Sequence, residues 1–540
     1  MTHSLLNDRL IRVRLSGNGE GDKQCTLTLP KVLHTLAQTS DLLSFEALQA
    51  HQRQAWYSFL VQLAAMAVAR AAGGEIPASS DGWRSALIAL SDEKEAAWHL
   101  VVEEVKQPAF MQAPVHEDSL DEADFFDLEH HIEEGERSPD SFEPLFTSKN
   151  HSVKRQRVSN PKPDHWIYAL CNTQTMSGYV RYYQRIARMR GGRSSRPLVG
   201  LASNLTWDKR FQRDLNVLLD ARPAFDKYDL KDGHTLLWMF PWSGKKGDHI
   251  DLYDCDPYFI EVSRRVRLLP SDEGGITYRK GKNPGMRVKE PSDLDGKTGD
   301  AWTPITDEQK AIHVDERGFH YRLLSDIFLG ADYERPPALQ FRRGEDGLMY
   351  LVAEALGHGQ GKTYGLHQRL VPVPPHATNR LGDETQRQKL ASRSQKRIQR
   401  AGDAKHQILR KALTTLFLLG RKEYDELSKG QKRKMGKMLK KHIGALDRSI
   451  DNSFFESLWA SAAEDVSDEE ARRLWHTLLW DKAERHFEDA QGHAPAAAID
   501  HWRARSAARS VFDRQANDCL PQAEQARSSS DASDSNPSST

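Results

Sequence analysis

The stretch from Gly357 to Gly365 reads GHGQGKTYG and contains the glycine-lysine-threonine sequence of phosphate-binding loops. In such a loop, G-x-x-x-x-G-K-[ST], backbone amides and the N-terminus of the next helix surround the nucleotide phosphates. Leu356 stands where the first glycine is required, and prolines in the following YGLHQRLVPVPP are incompatible with a helix interior. The pattern therefore favours a hairpin tip. A nucleotide site is the alternative.

Two acidic clusters carry side chains of the kinds that bind metal ions. The first contains His130, His131, Glu133 and Glu134, and the second is GDHIDLYDCDPYF, residues 247–259. Adjacent residues of a helix point to different faces, so the first cluster favours a solvated acidic helix over a metal site. Turn formers separate the acids of the second cluster, which favours caps and turns over a hard-cation site.

The common catalytic motifs of hydrolases and nucleases are missing from the sequence: H-E-x-x-H, G-x-S-x-G, the His-Asp dipeptide and a complete phosphate loop. The four cysteines are scattered without a C-x-x-C pair, which argues against a zinc knuckle and a disulfide framework. We therefore predict a non-enzymatic protein without metal or cofactor. The alternative is a nucleotide- or metal-dependent enzyme that uses the GHGQGKT loop.

The charge of the chain is balanced, because its 540 residues carry a formal net charge of zero. Contact with nucleic acid must then come from local basic segments. Two such segments are KNHSVKRQR, residues 149–157, and RYYQRIARMRGGRSSR, residues 181–196. Each fits either a loop that approaches a nucleic-acid backbone or a solvated surface. No apolar run approaches the ~18 residues of a membrane span, so we expect a cytoplasmic protein without a membrane anchor.

Hydrophobic periodicity predicts the elements that position these residues. LIRVRL and CTLTLP alternate as in a small β-hairpin, and a helical pattern runs from Phe45 to Ala72, where Gly73 and Gly74 end it. From about Glu384 onward the helical patterns QILRKALTTLFLLG, SFFESLWASAA, EEARRLWHTLLWDKAERHF and IDHWRARSAARSVF follow one another. They predict a bundle of four antiparallel helices.

The fold class is therefore α+β, with a large mixed α/β N-terminal domain followed by a C-terminal four-helix bundle. We place the first domain at residues 1–380, the bundle at 381–520 and a disordered tail at 521–540. The basic segment SKGQKRKMGKMLKKH, between the first two helical patterns, fits a solvated end of the bundle or a surface that faces phosphates.

Six segments occur in a fixed order along most of the first 375 residues. They are LPKVLHTLAQTSDLLSFEALQAHQRQAWYSFLVQLAA, AFMQAPV, LFTSKNHSVKR, WSGKKGDHIDLYDCDPYFIEVSRRVRL, GKTGDAWTPI and GHGQGKTYGLHQRLVPVP. In this order they resemble the CasA family, the large subunit of the type I-E CRISPR surveillance complex Cascade. The helical C-terminal part fits as well, because that family carries a four-helix bundle after its mixed domain.

The resemblance implies a DNA-recognition subunit without catalysis. In such a complex the guide crRNA reads the target by base pairing, while the protein recognises the short flanking motif, the PAM, and starts the R-loop. The implied partners are the backbone, small and guide-5′-end-binding subunits, the crRNA and double-stranded target DNA. A helicase-nuclease in trans, or a nuclease domain on another subunit, would cut the DNA.

The resemblance also assigns three groups of DNA-binding residues. A loop near the guide's 5′ end corresponds to Lys149, Asn150, His151 and Lys154; a glycine loop against the PAM to Ser177, Gly178 and Tyr179; and a minor-groove lysine to Lys289 or Lys282. Only one of several expected glycines is present in the second group. Close backbone approach to the groove floor favours glycine, so an altered PAM preference is implied.

The fourth implied element is a glutamine wedge that separates the first base pair of the target. Gln360 takes that place, with His358, Gly359, Gly361 and Lys362 around it. Glycines permit a tight tip, the long amide replaces hydrogen bonds of the separated bases, and the lysine holds a displaced phosphate.

Overall fold

The structure is a computed structural model that describes residues 3–17, 21–115, 138–142, 158–176, 195–271, 275–281, 283–291, 298–308, 310–330, 332–359, 362–418, 427–463, 466–492 and 498–523. They belong to two compact units. Unit 1 comprises Met1–Phe319 and Ala331–Pro372, and unit 2 comprises His320–Gly330 and Val373–Thr540. The domain boundary at residues 380 and 381 stays a prediction about which parts fold independently.

Unit 1 combines short strands with a few helices. Its strands are β1 Ile11–Leu15, β2 Lys23–Leu27, β3 Leu42–Phe45, β4 Leu198–Ala202, β5 His234–Leu236, β6 Ile250–Asp251, β7 Cys255–Ile260, β8 Arg265–Pro270, β9 Ile276–Gly281, β10 Val288–Lys289, β11 Ile305–Thr306, β12 Tyr333–Glu334, β13 Met349–Gly359 and β14 Lys362–Val373. Its helices are α1 Leu29–Gln38, α2 Arg53–Met66, α3 Ser80–Leu90, α4 Pro163–Met176 and α5 Trp207–Ala221.

The strands pair into several small sheets. One has the order β2–β1–β3 and another the order β14–β13–β4. The pairs β6–β10 and β5–β7 are parallel, and β8–β9 and β11–β12 are antiparallel. The predicted N-terminal hairpin is confirmed, because β1 and β2 are antiparallel with Ile11 opposite Leu27.

The predicted helix from Phe45 to Ala72 is wrong at its start and right at its end. Phe45 lies in β3 opposite Val13, and α2 begins at Arg53. Pairing with β1 satisfies the backbone of Phe45, so the apolar pattern there serves a strand. The chain leaves the helical conformation at Gly73 and Gly74, whose φ angles are +66° and +88°.

Helix α2 is the centre of the unit 1 core. Apart from Arg53 it is buried along its whole length, as expected for a helix with apolar residues on every face. Trp56 stacks on Phe59 at a centroid distance of 5.3 Å and meets Tyr168 of α4 edge to face at 5.1 Å. These contacts fix α4 against α2, and α4 carries the chain into one of the predicted DNA-binding segments.

Unit 2 is helical in the part that the structure describes. Its helices are α6 Tyr321–Leu329, α7 Pro375–Gly382, α8 Glu384–Asp403, α9 Arg410–Phe417, α10 Lys429–Ala460, α11 Asp468–Gln491 and α12 Ala498–Cys519. A π-helical turn, Ala404–Leu409, joins α8 to α9, so four long helical stretches form the bundle. The predicted fold class, a mixed domain followed by a helical bundle, is confirmed.

Two features of unit 2 were not apparent from the periodicity. The basic segment SKGQKRKMGKMLKKH forms the first half of α10, which runs for 32 residues. The short helix α6 precedes the last strands of unit 1 in sequence, yet it packs in unit 2, where Tyr321 contacts Phe454 of α10 at 4.7 Å. Among the described residues, no helix has the length and apolar character that a membrane crossing requires.

Candidate functional site

Most residues of the predicted DNA-binding groups lie outside the described residues. They are Lys149, Asn150, His151, Lys154, Ser177, Gly178, Tyr179, Lys282, Gln360 and Gly361. The structure does describe the helices and strands at both ends of these segments. These elements determine where the segments leave the core.

The GHGQGKTYG stretch is the end of a β-hairpin, as its glycines predict. β13 ends at Gly359, β14 begins at Lys362, and the two strands are neighbours in one sheet. His358 lies in β13. The phosphate-loop alternative is wrong, because such a loop needs a helix after its lysine, whereas Lys362 begins a strand of 12 residues.

His367 of β14 fills the space that two glycines, Gly357 near the end of this hairpin and Gly318, leave open. A Cβ atom on Gly357 would lie 2.9 Å from Cδ2 and Nε2 of His367, and one on Gly318 would lie 2.5 Å from Nδ1. The Nε2 atom is buried without a hydrogen-bond partner. Burial lowers the pKa of His367, although Asp315 opposes this effect. The neutral ring is thus a packing element that sets the distance between β13 and its neighbours.

Replacing Gly357 by alanine is expected to lower the free energy of unfolding by about 1–3 kcal/mol, the usual cost of overpacking. The added methyl group and the ring of His367 compete for the same space. In a His367→Ala background the same replacement should cost less than half as much. Urea unfolding of the four proteins in this double-mutant cycle measures the difference. Equal costs in both backgrounds would place the clash elsewhere.

The segment 177–194 begins and ends beside the hairpin. The amide of Arg196 donates to the carbonyl of Met176 at 3.4 Å, which closes the segment at its base. The amide of Ser195 donates to the carbonyl of Leu356 at 2.9 Å, and the amide of Leu356 donates to Ser195 Oγ at 2.7 Å. Leu356 belongs to β13, close to the hairpin end, so the predicted glycine loop and the predicted wedge share one anchoring point.

The segment 143–157 is also closed at its base, at the opposite end of α4. The carboxylate of Asp140 accepts a hydrogen bond from the amide of Val158 at 2.9 Å and from Gln49 Nε2 at 2.9 Å. Helix α4 follows with 14 residues, a length of about 20 Å. The segments 143–157 and 177–194 therefore leave the core from the two ends of one buried helix.

A buried ion pair lies directly behind the anchoring point. Arg196 Nε and Nη2 donate to the two carboxylate oxygens of Asp300 at 2.5 and 3.0 Å. Their side chains are 2% and 0% exposed. The amide of Trp302 donates to Asp300 Oδ1 at 2.9 Å, and the guanidinium lies 5.4 Å from the Trp302 ring. Arg196 is therefore structural, which corrects the prediction that the whole basic run 181–196 faces nucleic acid or solvent.

Lys289 lies exposed on β10, next to an arginine that fixes its strand. Nη2 of Arg287 donates to the carbonyl of Leu237 at 2.9 Å, Nη1 donates to that of Pro241 at 3.0 Å, and the guanidinium lies 5.5 Å from the ring of Trp242. Burial lowers the pKa of Arg287 to about 10. The ammonium group of Lys289 is thus presented to solvent from an anchored strand.

Two acids of residues 247–259 serve a turn and an internal ion pair, in keeping with the turn formers among them. Asp248 accepts hydrogen bonds from the amide and the hydroxyl of Ser243, both at 2.5 Å. The buried Asp256 accepts from Nη1 and Nη2 of Arg222 at 2.9 and 2.5 Å. In the described ranges, no group of three or more histidine, cysteine and acidic side chains is placed to hold a metal ion. The first acidic cluster, His130 to Glu134, lies outside them.

Sequence reasoning missed the anchoring residues Ser195, Arg196 and Asp300. Their types are ordinary, and their importance comes from contacts over more than 100 positions of chain, such as that between Arg196 and Asp300. One signal was present: Arg196 is the last cation of a basic run and lies two residues before the apolar strand β4. A cation at the entrance of a buried strand needs buried hydrogen-bond acceptors, and a carboxylate is the strongest of them.

Comparison with known proteins identifies solved structures that are similar to this one. No family model matches the chain, and neither does any curated protein sequence. A CRISPR-associated protein from Thermus thermophilus has a similar structure, with a TM-score of 0.62, 14% identity, and coverage of 96% of this chain and 100% of that chain. Cse1 from Acidimicrobium ferrooxidans has a TM-score of 0.60 at 14% identity, with coverage of 96% and 99%.

A third similar structure is Cse1 from Thermobifida fusca, with a TM-score of 0.59, 14% identity, and coverage of 97% of this chain and 99% of that chain. The similarity thus extends through both units. A Thermus thermophilus structure described as CasA (Cse1) has the same TM-score of 0.59. The chain therefore has the fold of the CasA (Cse1) proteins, as the resemblance between the sequences predicts.

Proposed function

We propose that the chain is the non-catalytic large subunit of a type I-E Cascade complex. It recognises the PAM in double-stranded target DNA from the minor groove and separates the first base pair, so that the crRNA forms the R-loop. The observation that carries this proposal is the fold, which matches Cse1 and CasA structures over at least 95% of the chain. Base pairing supplies sequence recognition in such complexes, so the protein itself needs only a short reading site.

The shared anchor of two segments supports the roles of their residues. The Ser195–Leu356 hydrogen bonds keep the base of the segment with Gly178 beside the hairpin that leads to Gln360. Reading a flank and opening the adjoining base pair act on neighbouring positions of the duplex, so the two groups must lie close together. Gly178 permits close backbone approach to the groove, and the amide of Gln360 replaces hydrogen bonds of the separated bases.

Lys289 is the second reading residue in this proposal. Its ammonium group is exposed on an anchored strand, and purine N3 and pyrimidine O2 present acceptors in the minor groove at every base pair. A lysine at this position increases the affinity for DNA and helps to fix the position of the protein along the duplex. The segment with Lys149, Asn150, His151 and Lys154 contacts nucleic acid near the 5′ end of the guide, at the far end of α4.

The helical bundle has partners of its own. Exposed lysines follow one another on the first half of α10, at Lys434, Lys437, Lys440 and Lys441. Such a surface attracts the phosphates of the displaced strand. The bundle also contacts adjoining Cascade subunits, and the complex positions the nuclease, either as a helicase-nuclease in trans or as a domain of another subunit.

The proposal is tested by target binding of the assembled complex across a library of duplexes with a randomised flank. We expect a few flanks to be enriched, and we expect this enrichment to disappear when the complex lacks this subunit. Each mismatched position of a reading site usually costs about 1–3 kcal/mol, so enrichment should reach tenfold or more. A uniform distribution of flanks, or a preference that survives without the subunit, contradicts PAM recognition by this chain.

A further inference from the structure

A basic cleft lies in the helical bundle of unit 2, between α8 and α11. Its volume is about 770 Å³. Six of its lining residues are cations and one is a carboxylate, Asp468; the cations are Lys389, Arg393, Lys396, Arg397, Arg400 and Arg472. This excess of positive charge is local, since the chain as a whole is neutral. An anion in the cleft would relieve the mutual repulsion of these groups.

Arg397 lies in the wall of the cleft, and no carboxylate among the described residues pairs with its guanidinium group. The residue is 4% exposed. Its Nη1 donates to Ser457 Oγ at 3.0 Å and its Nη2 to the carbonyl of Ala471 at 3.3 Å, and the guanidinium lies 5.0 Å from the Trp475 ring. These partners are all neutral. Burial, and then the charge of Arg393, lower the pKa of Arg397 to about 9.

His476 supplies a second, independent indication of a ligand. This residue also lines the cleft, is 6% exposed, and has an Nδ1 atom that is buried without a hydrogen-bond partner. Burial, followed by the charges of Arg400 and Arg472, lowers its pKa to about 4. A buried polar atom normally has a partner. A ligand in the cleft would provide one for Nδ1 of His476.

The cations form a row along one face of α8. Lys389, Arg393, Lys396 and Arg400 are spaced by four, three and four residues, which aligns them on a helix over about 16 Å. Arg393 already pairs with Asp468, and Arg400 pairs with Asp403 at 3.2 Å, whereas Lys389 and Lys396 are exposed and make no ion pair with a described carboxylate. A single small anion would occupy only a fraction of this length. The row therefore suits an extended chain of anions, such as the phosphates of one nucleic-acid strand, which rise about 3.4 Å per nucleotide in a duplex.

The position of Arg472 favours phosphate over carboxylate. This arginine belongs to α11, so it approaches the cleft from the side opposite to the row on α8. A tetrahedral phosphate accepts hydrogen bonds in several directions, whereas a carboxylate is planar and pairs with an arginine in one plane. The cleft has no exposed aromatic side chain, since Trp475 is 2% exposed, and bases therefore find no stacking partner among its lining residues.

We infer that this cleft binds consecutive phosphate groups of a single nucleic-acid strand, without regard to base sequence. The inference rests on the proposed function only in that an opened target duplex supplies such a strand. It adds a site on α8 and α11 that is separate from the flank-reading residues of unit 1.

The test uses the full-length protein and a fluorescein-labelled single-stranded oligothymidylate of about 12 nucleotides, within the usual size of such sites. One variant carries Lys389→Gln, Lys396→Gln and Arg472→Gln, three exposed positions of the cleft. The matched control carries Arg485→Gln, Arg503→Gln and Arg514→Gln, three exposed positions of α11 and α12 outside the cleft. Each variant loses three positive charges. Fluorescence anisotropy therefore compares the effect of removing charges inside the cleft with that of removing them elsewhere, at equal net charge.

We expect the cleft variant to bind at least about tenfold more weakly at 100 mM salt, with a salt-dependence slope smaller by about 2, because each phosphate contact of a single strand contributes about 0.7. The control should change affinity less than about threefold. Equal losses in both variants, or no loss in either, would overturn the inference.

Competitors separate the possible sources of the anion. Inorganic polyphosphate should compete, but less tightly per phosphate than the oligonucleotide; the reverse order would remove nucleic acid as the ligand. Displacement by inorganic phosphate at low millimolar concentration would indicate a single-anion site, and equal competition by polyglutamate an acidic peptide; either result contradicts the inference. The flank preference of the assembled complex is measured with double-stranded DNA, whereas binding to the cleft is measured with a single strand. A negative result in one experiment therefore leaves the other proposal standing.

Discussion

Replacing Arg196 by methionine is expected to lower the free energy of unfolding by about 3–5 kcal/mol, the usual result of removing one partner of a buried ion pair. The side chain of Asp300 is fully buried, and its two oxygens accept hydrogen bonds from Arg196 Nε and Nη2. Without the guanidinium, the amides of Trp302 and Thr303 still donate to the buried carboxylate, but these neutral donors do not balance its charge. Urea unfolding followed by tryptophan fluorescence measures the loss.

A second variant distinguishes charge from packing. Asp300→Asn added to Arg196→Met removes the buried carboxylate charge and keeps an acceptor for the Trp302 amide, so it should recover a substantial part of the lost stability. The control is Arg84→Met, which breaks the exposed pair with Glu95, where the side chains are 40% and 49% exposed. That change should cost less than about 1 kcal/mol. Similar costs for Arg196→Met and Arg84→Met would show that the Asp300 pair contributes no more than a surface pair.

Replacing Gln360 by alanine in the assembled complex is expected to weaken binding to a paired target about 10- to 100-fold, while binding to a target with its first base pairs already unpaired changes little. Separating one base step costs a few kcal/mol, and a wedge acts only on that cost. Each 1.4 kcal/mol corresponds to a tenfold change in affinity. Equilibrium binding to the paired and the pre-opened duplex, both with the preferred flank, measures the two affinities.

The hairpin offers a matched control for this experiment. Gln368 is an exposed glutamine of β14 whose Nε2 donates to Glu354 on β13 at 3.1 Å. Gln368→Ala removes the same amide from the body of the hairpin and should leave both affinities within about twofold. If Gln360→Ala weakens binding to both targets equally, the residue contributes to affinity in general and does not act as a wedge. If Gln360→Ala and Asn150→Ala change neither affinity, the chain acts as a scaffold.

The hairpin and the bundle were predictable because their signals are local. Clustered glycines with alternating residues on the C-terminal side predict a hairpin around Gln360, and apolar residues repeating at helical spacing predict the long helices of unit 2. The start of α2 was predicted wrongly. The apolar pattern at Phe45 is also local, but pairing of β3 with β1 decides the conformation of this residue. Pairing between strands distant in sequence overrides local preference.

The anchoring contacts were beyond sequence reasoning on a single chain. Ser195 bonds to Leu356 across 161 positions, and Gln54 Nε2 bonds to Ser195 Oγ across 141 positions. Hydroxyl and amide side chains of these types occur everywhere on protein surfaces, so their types alone carry no information about such partners. The cleft around Arg397 was missed for the same reason, since α8 and α11 are separated in sequence by the whole of α10.

Helix α4 has a consequence for the register of the DNA. Its 14 residues separate the bases of the segments 143–157 and 177–194 by about 20 Å, and a duplex rises about 3.4 Å per base pair. The helix is therefore about as long as six base pairs. In the proposed complex, the length of α4 sets the separation between the anchoring points of the two segments, and it thereby limits how close together they contact the nucleic acid.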